Sequence, residues 1–124
     1  MWGDGAQTRS FTYVDDCVEG IHRITASDHH LPLNLGTDRL ISIDGLVELV
    51  AGIAGKTIRV RHDTSKPQGV RGRNSDNSKL REVLGWEPST SLEDGLARTY
   101  QWIAGQLPGR GSGGVKPSPP VSRG

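Results

Sequence analysis

A single cysteine, Cys17, among 124 residues excludes an internal disulfide, and a lone thiol offers no metal framework. The adjacent His29 and His30 have no cysteine or carboxylate at ligand spacing that would make a zinc site with them. No apolar run approaches the ~18 residues that a membrane-spanning helix needs, and the opening Met1-Trp2-Gly3-Asp4 is not a signal peptide. An excess of one charge is missing too: 15 Lys and Arg stand against 14 Asp and Glu, for a formal net charge of +1. No overall field therefore favours a nucleic-acid or membrane partner, and any basic function must be local. The length of 124 residues bounds the chain to one domain at most, and its hydrophobic fraction of 33% is low for a globular chain. A soluble cytoplasmic protein is the default. The chain opens in turn chemistry with no preceding strand, as an incomplete piece of something larger would.

What is present centres on Pro67-Gln68-Gly69-Val70-Arg71-Gly72-Arg73-Asn74-Ser75-Asp76-Asn77. Arg71 and Arg73 carry planar donor forks that suit phosphate oxygens better than lysine does. Gly69 and Gly72 let the backbone approach a ligand closely or take a positive φ. Asp76 or Ser75 can cap a following helix whose N-terminus favours anions. Taken alone, the stretch fits a phosphate clamp, an RNA-binding RG segment or a solvated basic loop.

In chain order, Trp2-Gly3-Asp4-Gly5 reads as a tight turn with positive-φ positions. Residues 8–14 alternate and are rich in β-branched and aromatic types, which predicts a strand with Arg9, Phe11 and Tyr13 on one face. Asp15 is then an N-cap, and a helix over 16–26 turns Cys17, Val18, Ile21, Ile24 and Thr25 to the sheet. Cys17 on that stripe is a small core residue rather than a nucleophile. A short strand over 32–36 ends at Gly36. Ser42 caps a helix with Ile43, Leu46, Val47, Leu49, Val50 and Ile53 on one broad face, stopped at Gly55. Residues 57–61 form a second strand with Ile58 and Val60 inward. Strand, helix, strand is the order of a βαβ unit with parallel strands. The arginine stretch then lies beyond a strand's carboxyl end, where open α/β folds bind ligands. A short helix with Leu80, Val83 and Leu84 closes at Gly85. Thr90 or Ser91 caps a last helix carrying Leu92, Leu96, Tyr100, Ile103 and Leu107, in which Gly95 marks close packing. From Pro108 onward Gly, Pro and Ser dominate, and residues 108–124 are expected to be a disordered tail.

These stretches resemble a family. Trp2-Gly3-Asp4-Gly5, Gln7-Thr8-Arg9-Ser10-Phe11 and Tyr13-Val14-Asp15-Asp16 look like the mid-to-late part of extended short-chain dehydrogenase/reductase sugar-nucleotide epimerases and dehydratases. So do Asn34-Leu35-Gly36, Leu84-Gly85-Trp86-Glu87-Pro88 and Ser91-Leu92-Glu93-Asp94-Gly95-Leu96. Within that family, Gly69-Val70-Arg71-Gly72-Arg73-Asn74-Ser75-Asp76-Asn77 is similar to the GDP-mannose 3,5-epimerases. The resemblance implies an α/β fragment of a Rossmann-type fold, with residues 1–107 as a C-terminal substrate-binding region. It implies that arginines at the positions of Arg9 and Arg73 hold the diphosphate of a nucleotide sugar, with Gln7 and Thr8 beside it. Arg71 is left as structural, its charge tied to a carboxylate or in solvent. The implied cofactor is NAD, and full-length members are usually homodimers.

The family's Gly-x-x-Gly-x-x-Gly turn for NAD is not in the sequence. Neither is its Tyr-x-x-x-Lys pair: Tyr13 is followed four residues later by Cys17, and Tyr100 by Ala104. The implied full reaction is oxidation at C4 by NAD, epimerisation at C3 and C5, then re-reduction. This chain carries none of those groups and is expected not to catalyse alone. The partner is then a GDP-mannose-like nucleotide sugar, or a dTDP- or UDP-sugar, with no catalytic, cofactor-binding or metal residue in the chain. A stand-alone nucleotide or anion-binding module is a rival. An RNA-binding role for Val70-Arg71-Gly72-Arg73 with Arg110 and Arg123 is another, against which stand the near-neutral charge and the lack of an aromatic stacking platform.

Overall fold

The computed structural model describes residues 1–107, so the expected tail lies outside the described residues. Three two-residue strands and four helices alternate as β1 (Thr8–Arg9), α1 (Val14–Ala26), β2 (Ile41–Ser42), α2 (Ile43–Ile53), β3 (Gly72–Arg73), α3 (Ser78–Leu84) and α4 (Leu92–Gln106). The fold class is α/β. The sheet has the order β2-β1-β3, antiparallel between β1 and β2 and parallel between β1 and β3.

The helices follow their local chemistry. Ser42 accepts a hydrogen bond from Gly45 N at 3.0 Å and starts α2, and Ser91 accepts from Asp94 N at 3.1 Å and starts α4. Each satisfies one of the donors that a helix N-terminus leaves open. Asp76 accepts from Ser78 N at 2.9 Å at the head of α3, which ends at Gly85 with φ of 59°. Leu80 of α3 is completely buried. Gly95 is buried in α4 because Tyr13 lies where a side chain would go, with an ideal Cβ only 3.2 Å from the Tyr13 Cβ. The Arg98 guanidinium lies over the Tyr13 ring, 5.5 Å from its centroid, in cation–π geometry.

α1 departs from expectation. It starts at Val14 with Tyr13 as N-cap and no side-chain cap bond, so Asp15 and Asp16 fall inside the first turn. Asp16 instead accepts from Ser89 N at 3.1 Å and Thr90 N at 2.8 Å, tying α1 to the segment before α4. The inward face runs through Cys17, Gly20 and Ile24; Gly20 alone is buried, pressed against Leu35 and Trp86. Val18 and Ile21 point to solvent. A contact made by glycine turned the helix away from its hydrophobic stripe.

The strands depart further. Pairing at 8–14 stops at Arg9, with Ser10 N donating to Arg73 O at 3.1 Å as the last cross-chain bond. No strand forms over 32–36 or 57–61, so the parallel pair is β1–β3 rather than those two segments. Their polar groups are met otherwise: Asn77 Nδ2 donates to Gly36 O at 2.7 Å, and the Met1 amine donates to Arg61 O at 2.7 Å. Ile58, expected inward, is exposed, as are Ile103 and Leu107 of the α4 stripe. The arginine stretch is not wholly a loop, because Gly72–Arg73 is an edge strand.

Candidate functional site

The register of the parallel pair puts Thr8 beside Gly72 and Arg9 beside Arg73. Residues opposite each other on neighbouring strands share a sheet face, and like charges there are unfavourable. Thr8 N donates to Arg71 O at 2.9 Å, and Gly72 is needed for the approach, since an ideal Cβ there would lie 2.9 Å from Thr8 Oγ1. Gly69, with φ of 74°, carries the loop over Arg9, whose Nη2 is 3.7 Å from an ideal Cβ at Gly69.

Arg9 and Arg73 have no carboxylate partner among the described residues. Arg9 Nη1 donates to its own neighbour's carbonyl, Thr8 O, at 2.6 Å. Four other cations are paired, Arg39 with Glu93, Arg23 with Glu19, Arg81 with Glu87 and Lys79 with Glu82, whereas Lys56, Arg59, Arg61, Lys66 and Arg98 also have no carboxylate partner among the described residues. Arg71 Nη1 donates to Asp4 Oδ2 at 2.8 Å, so the structural reading of that arginine has its carboxylate. The Arg71 guanidinium, the Ala6 N–H and the amide of Gln68 together hold the Asp4 carboxyl below its ordinary range.

Arg9 and Arg73 line one open cleft of about 330 Å³ together with Ser10, Thr12, Asn34, Leu35, Gly36, Asn74 and Ser75. No carboxylate lines it. Hydroxyls, amides and two guanidinium forks form a surface rich in donors, suited to an extended polyanion rather than a cation. The hydroxyls and Asn34 were not singled out as site residues from sequence; they come from three separate segments. The other expected neighbours divide. Thr8 stays beside the pair under Gly72, while Gln7 is buried and accepts from Gln68 Nε2 at 3.2 Å. Gln7 therefore supports the loop from beneath.

A second cleft of about 170 Å³ adjoins the 87–92 segment and includes Phe11, Thr37, Arg39 and Asn77. On its rim the fork of Arg39 pairs with both oxygens of Glu93 at 2.7 and 2.6 Å, which lowers the Glu93 carboxyl to about 2. No group of three or more His, Cys, Asp or Glu able to hold a metal ion occurs among the described residues. No helix among them is long and apolar enough to cross a membrane.

A dinucleotide is received where a strand runs through a glycine turn into a helix N-terminus. The three strand-to-helix passages here are residues 10–13, Ser42 itself and residues 74–77, and none contains a glycine. Among the described residues, then, no strand enters a helix through a turn of this kind.

Comparison with known proteins gives the family. A family model described as GDP-mannose 4,6 dehydratase matches residues 1–99. The chain is 48% identical over 107 residues to GDP-mannose 3,5-epimerase 1 of Oryza sativa subsp. indica, covering 86% of this chain and 28% of that protein. It is 49% identical over 107 residues to GDP-mannose 3,5-epimerase of Arabidopsis thaliana, with the same shares of 86% and 28%. The chain thus spans little more than a quarter of the length of these curated relatives. UDP-glucose 4-epimerase from Thermotoga maritima, solved with UDP-glucose, superposes with a TM-score of 0.79 at 32% identity, over 85% of this chain and 34% of that one. UDP-glucuronic acid 4-epimerase from Bacillus cereus, solved with UDP-glucuronic acid and NAD, gives 0.77 at 31% identity, over 86% and 35%. With its family model matched along nearly all the described residues, the chain belongs to the GDP-mannose 4,6-dehydratase family of extended short-chain dehydrogenase/reductase epimerases and dehydratases.

Proposed function

We propose that this chain supplies the diphosphate-binding side of a nucleotide-sugar site of the GDP-mannose 3,5-epimerase kind. Arg9 and Arg73 take one phosphate group each, and hydroxyls and amides of the same cleft flank them. The observation that carries this reading is the in-register pair of arginines without a carboxylate, opening into a cleft that has none. Two like charges held side by side are relieved by an anion placed between them. Binding, not turnover, is the chain's own part, because it carries neither a glycine turn for NAD nor a Tyr-x-x-x-Lys pair. The redox and proton-transfer groups are supplied from outside these residues.

Calorimetric titration of the 124-residue chain with GDP-mannose tests this. Competition by pyrophosphate, UDP-glucose and GMP separates diphosphate recognition from recognition of base. Expected is competition by every diphosphate and weak competition by GMP. Equal competition by GMP and GDP-mannose would remove the diphosphate from the reading. Incubation with GDP-mannose and NAD is expected to give no epimer, and an epimer made by the purified chain would overturn the division of labour.

A further inference from the structure

Two in-register arginines need something that keeps them together before a ligand arrives. The β1–β3 pairing is short, β3 is exposed at both residues, and like charges oppose it. The segment before β1 is firmly held on its other side: Ile43 N donates to Gln7 O at 3.1 Å, and Asp44 N donates to Gly5 O at 3.0 Å. This fixes residues 5–7 to the start of α2. Toward the arginine loop, backbone bonds join Gly3 N to Asp63 O and Asp63 N to Met1 O, while the side-chain ties to residues 68–71 are one from Gln68 to Gln7 and a set that converges on Asp4. Its carboxylate accepts from Ala6 N at 2.9 Å, from Arg71 Nη1 at 2.8 Å, and from Gln68 Nε2. Gln68 and Arg71 flank Gly69, the residue under which the Arg9 guanidinium lies.

We propose that Asp4 is a positioning residue, which locks the 68–71 loop to the turn before β1 and thereby fixes the register that sets Arg73 beside Arg9. It acts through the arginine pair and touches no ligand. Its value for binding rests on the diphosphate reading given above; its hold on the register does not.

The experiment uses the 124-residue chain, with Asp4→Ala and the milder Asp4→Asn as variants. Thr8 N and Ser10 N, which donate to Arg71 O and Arg73 O, report the register through hydrogen exchange. Both variants are expected to exchange faster at these two amides, with Asp4→Asn the weaker, while amides of α4 keep the parent's protection. Asp4→Ala is expected to weaken GDP-mannose by about two- to fivefold, the scale of partly exposed ionic contacts. In an Arg73→Ala background it should weaken binding no further, because the group it positions is gone. If Asp4→Ala does not fold, Asp4→Asn carries the same comparisons. Unchanged exchange at Thr8 and Ser10 would overturn the proposal, as would a loss fully additive with that of Arg73→Ala. If the parent binds neither GDP-mannose nor pyrophosphate, the diphosphate reading falls, and the two amides alone decide the role of Asp4.

Discussion

At the scale of single residues, the proposed diphosphate reading places the binding free energy of the site in two guanidinium groups. Each hydrogen bond to a charged group is worth roughly 1.5–3 kcal/mol, so Arg9→Ala and Arg73→Ala should each weaken GDP-mannose binding by about ten- to a hundredfold. The two share one ligand group, and the double variant should depart from additivity. Lysine at either position keeps the charge and loses the fork, so it should recover only part of the loss. Calorimetry on the five variants checks this, and equal affinity of either alanine variant with the parent would remove that arginine from the clamp. Another residue-scale consequence concerns pH. Arg39 holds Glu93 at about 2 in place of its usual 4.5. A carboxyl depressed on folding contributes stability in full above 4.5 and loses it as pH falls through about 2. The pair is half-exposed, so solvent keeps the effect small. The stability difference between the parent and Glu93→Gln should therefore be flat at neutral pH and shrink in strong acid. A difference that grows below pH 4.5 would contradict the pairing.

At the scale of elements, glycine decides where α1 sits. An ideal Cβ at Gly20 lies 2.8 Å from one Leu35 methyl and closer to the other, with the Trp86 ring at 3.0 Å. Alanine at this position gains about 1 kcal/mol of helix propensity but overpacks a contact whose usual cost is about 1–3 kcal/mol. Gly20→Ala should lower stability by about 1 kcal/mol in urea unfolding, and a stabilised variant would show that the α1–Trp86 contact is loose. The same glycine explains why α1 was legible in the sequence as a helix but not in its orientation. The stripe of Cys17, Val18, Ile21, Ile24 and Thr25 identifies the helix; only tertiary contact says that Gly20 is its buried point, that Cys17 and Ile24 are half-buried beside it, and that Val18, Ile21 and Thr25 face out. α2, α3 and α4 were legible to their ends because Ser42, Gly85 and Ser91 set those ends through local bonds. Of the three expected strands only the first was legible, and only at Thr8–Arg9, because extended segments need a partner. Those over 32–36 and 57–61 have the right composition, yet side chains and the N-terminal amine satisfy their carbonyls. The site divides in the same way. Arg9 and Arg73 stand in motifs; Ser10, Thr12, Asn34 and Ser75 become neighbours only when three segments meet.

At the scale of the whole molecule, the balance between buried and exposed apolar surface sets what the chain can do by itself. Leu80 is the one hydrophobic residue counted as buried among the described residues. Trp2, Val14, Val18, Ile21, Trp102 and Leu107 are each more than half exposed. Apolar surface of this kind marks contact with something else, and a core this thin leaves little to offset chain entropy. An autonomous domain of this size absorbs about 70 kcal/mol on unfolding in one cooperative step. This chain should instead unfold with a much smaller enthalpy, bind a dye specific for exposed apolar surface, and self-associate as concentration rises. Substitutions should sort accordingly. Leu80→Ala, at the buried point, should cost about 2–5 kcal/mol and abolish folding. Ile21→Ser and Val18→Ser, on the open face of α1, should alter stability by no more than about 0.5 kcal/mol while reducing self-association. Calorimetry and sedimentation on the three variants decide the matter. A sharp transition of full enthalpy in a monomeric parent, or a large stability loss on Ile21→Ser, would mean that the α1 face is covered within the chain after all.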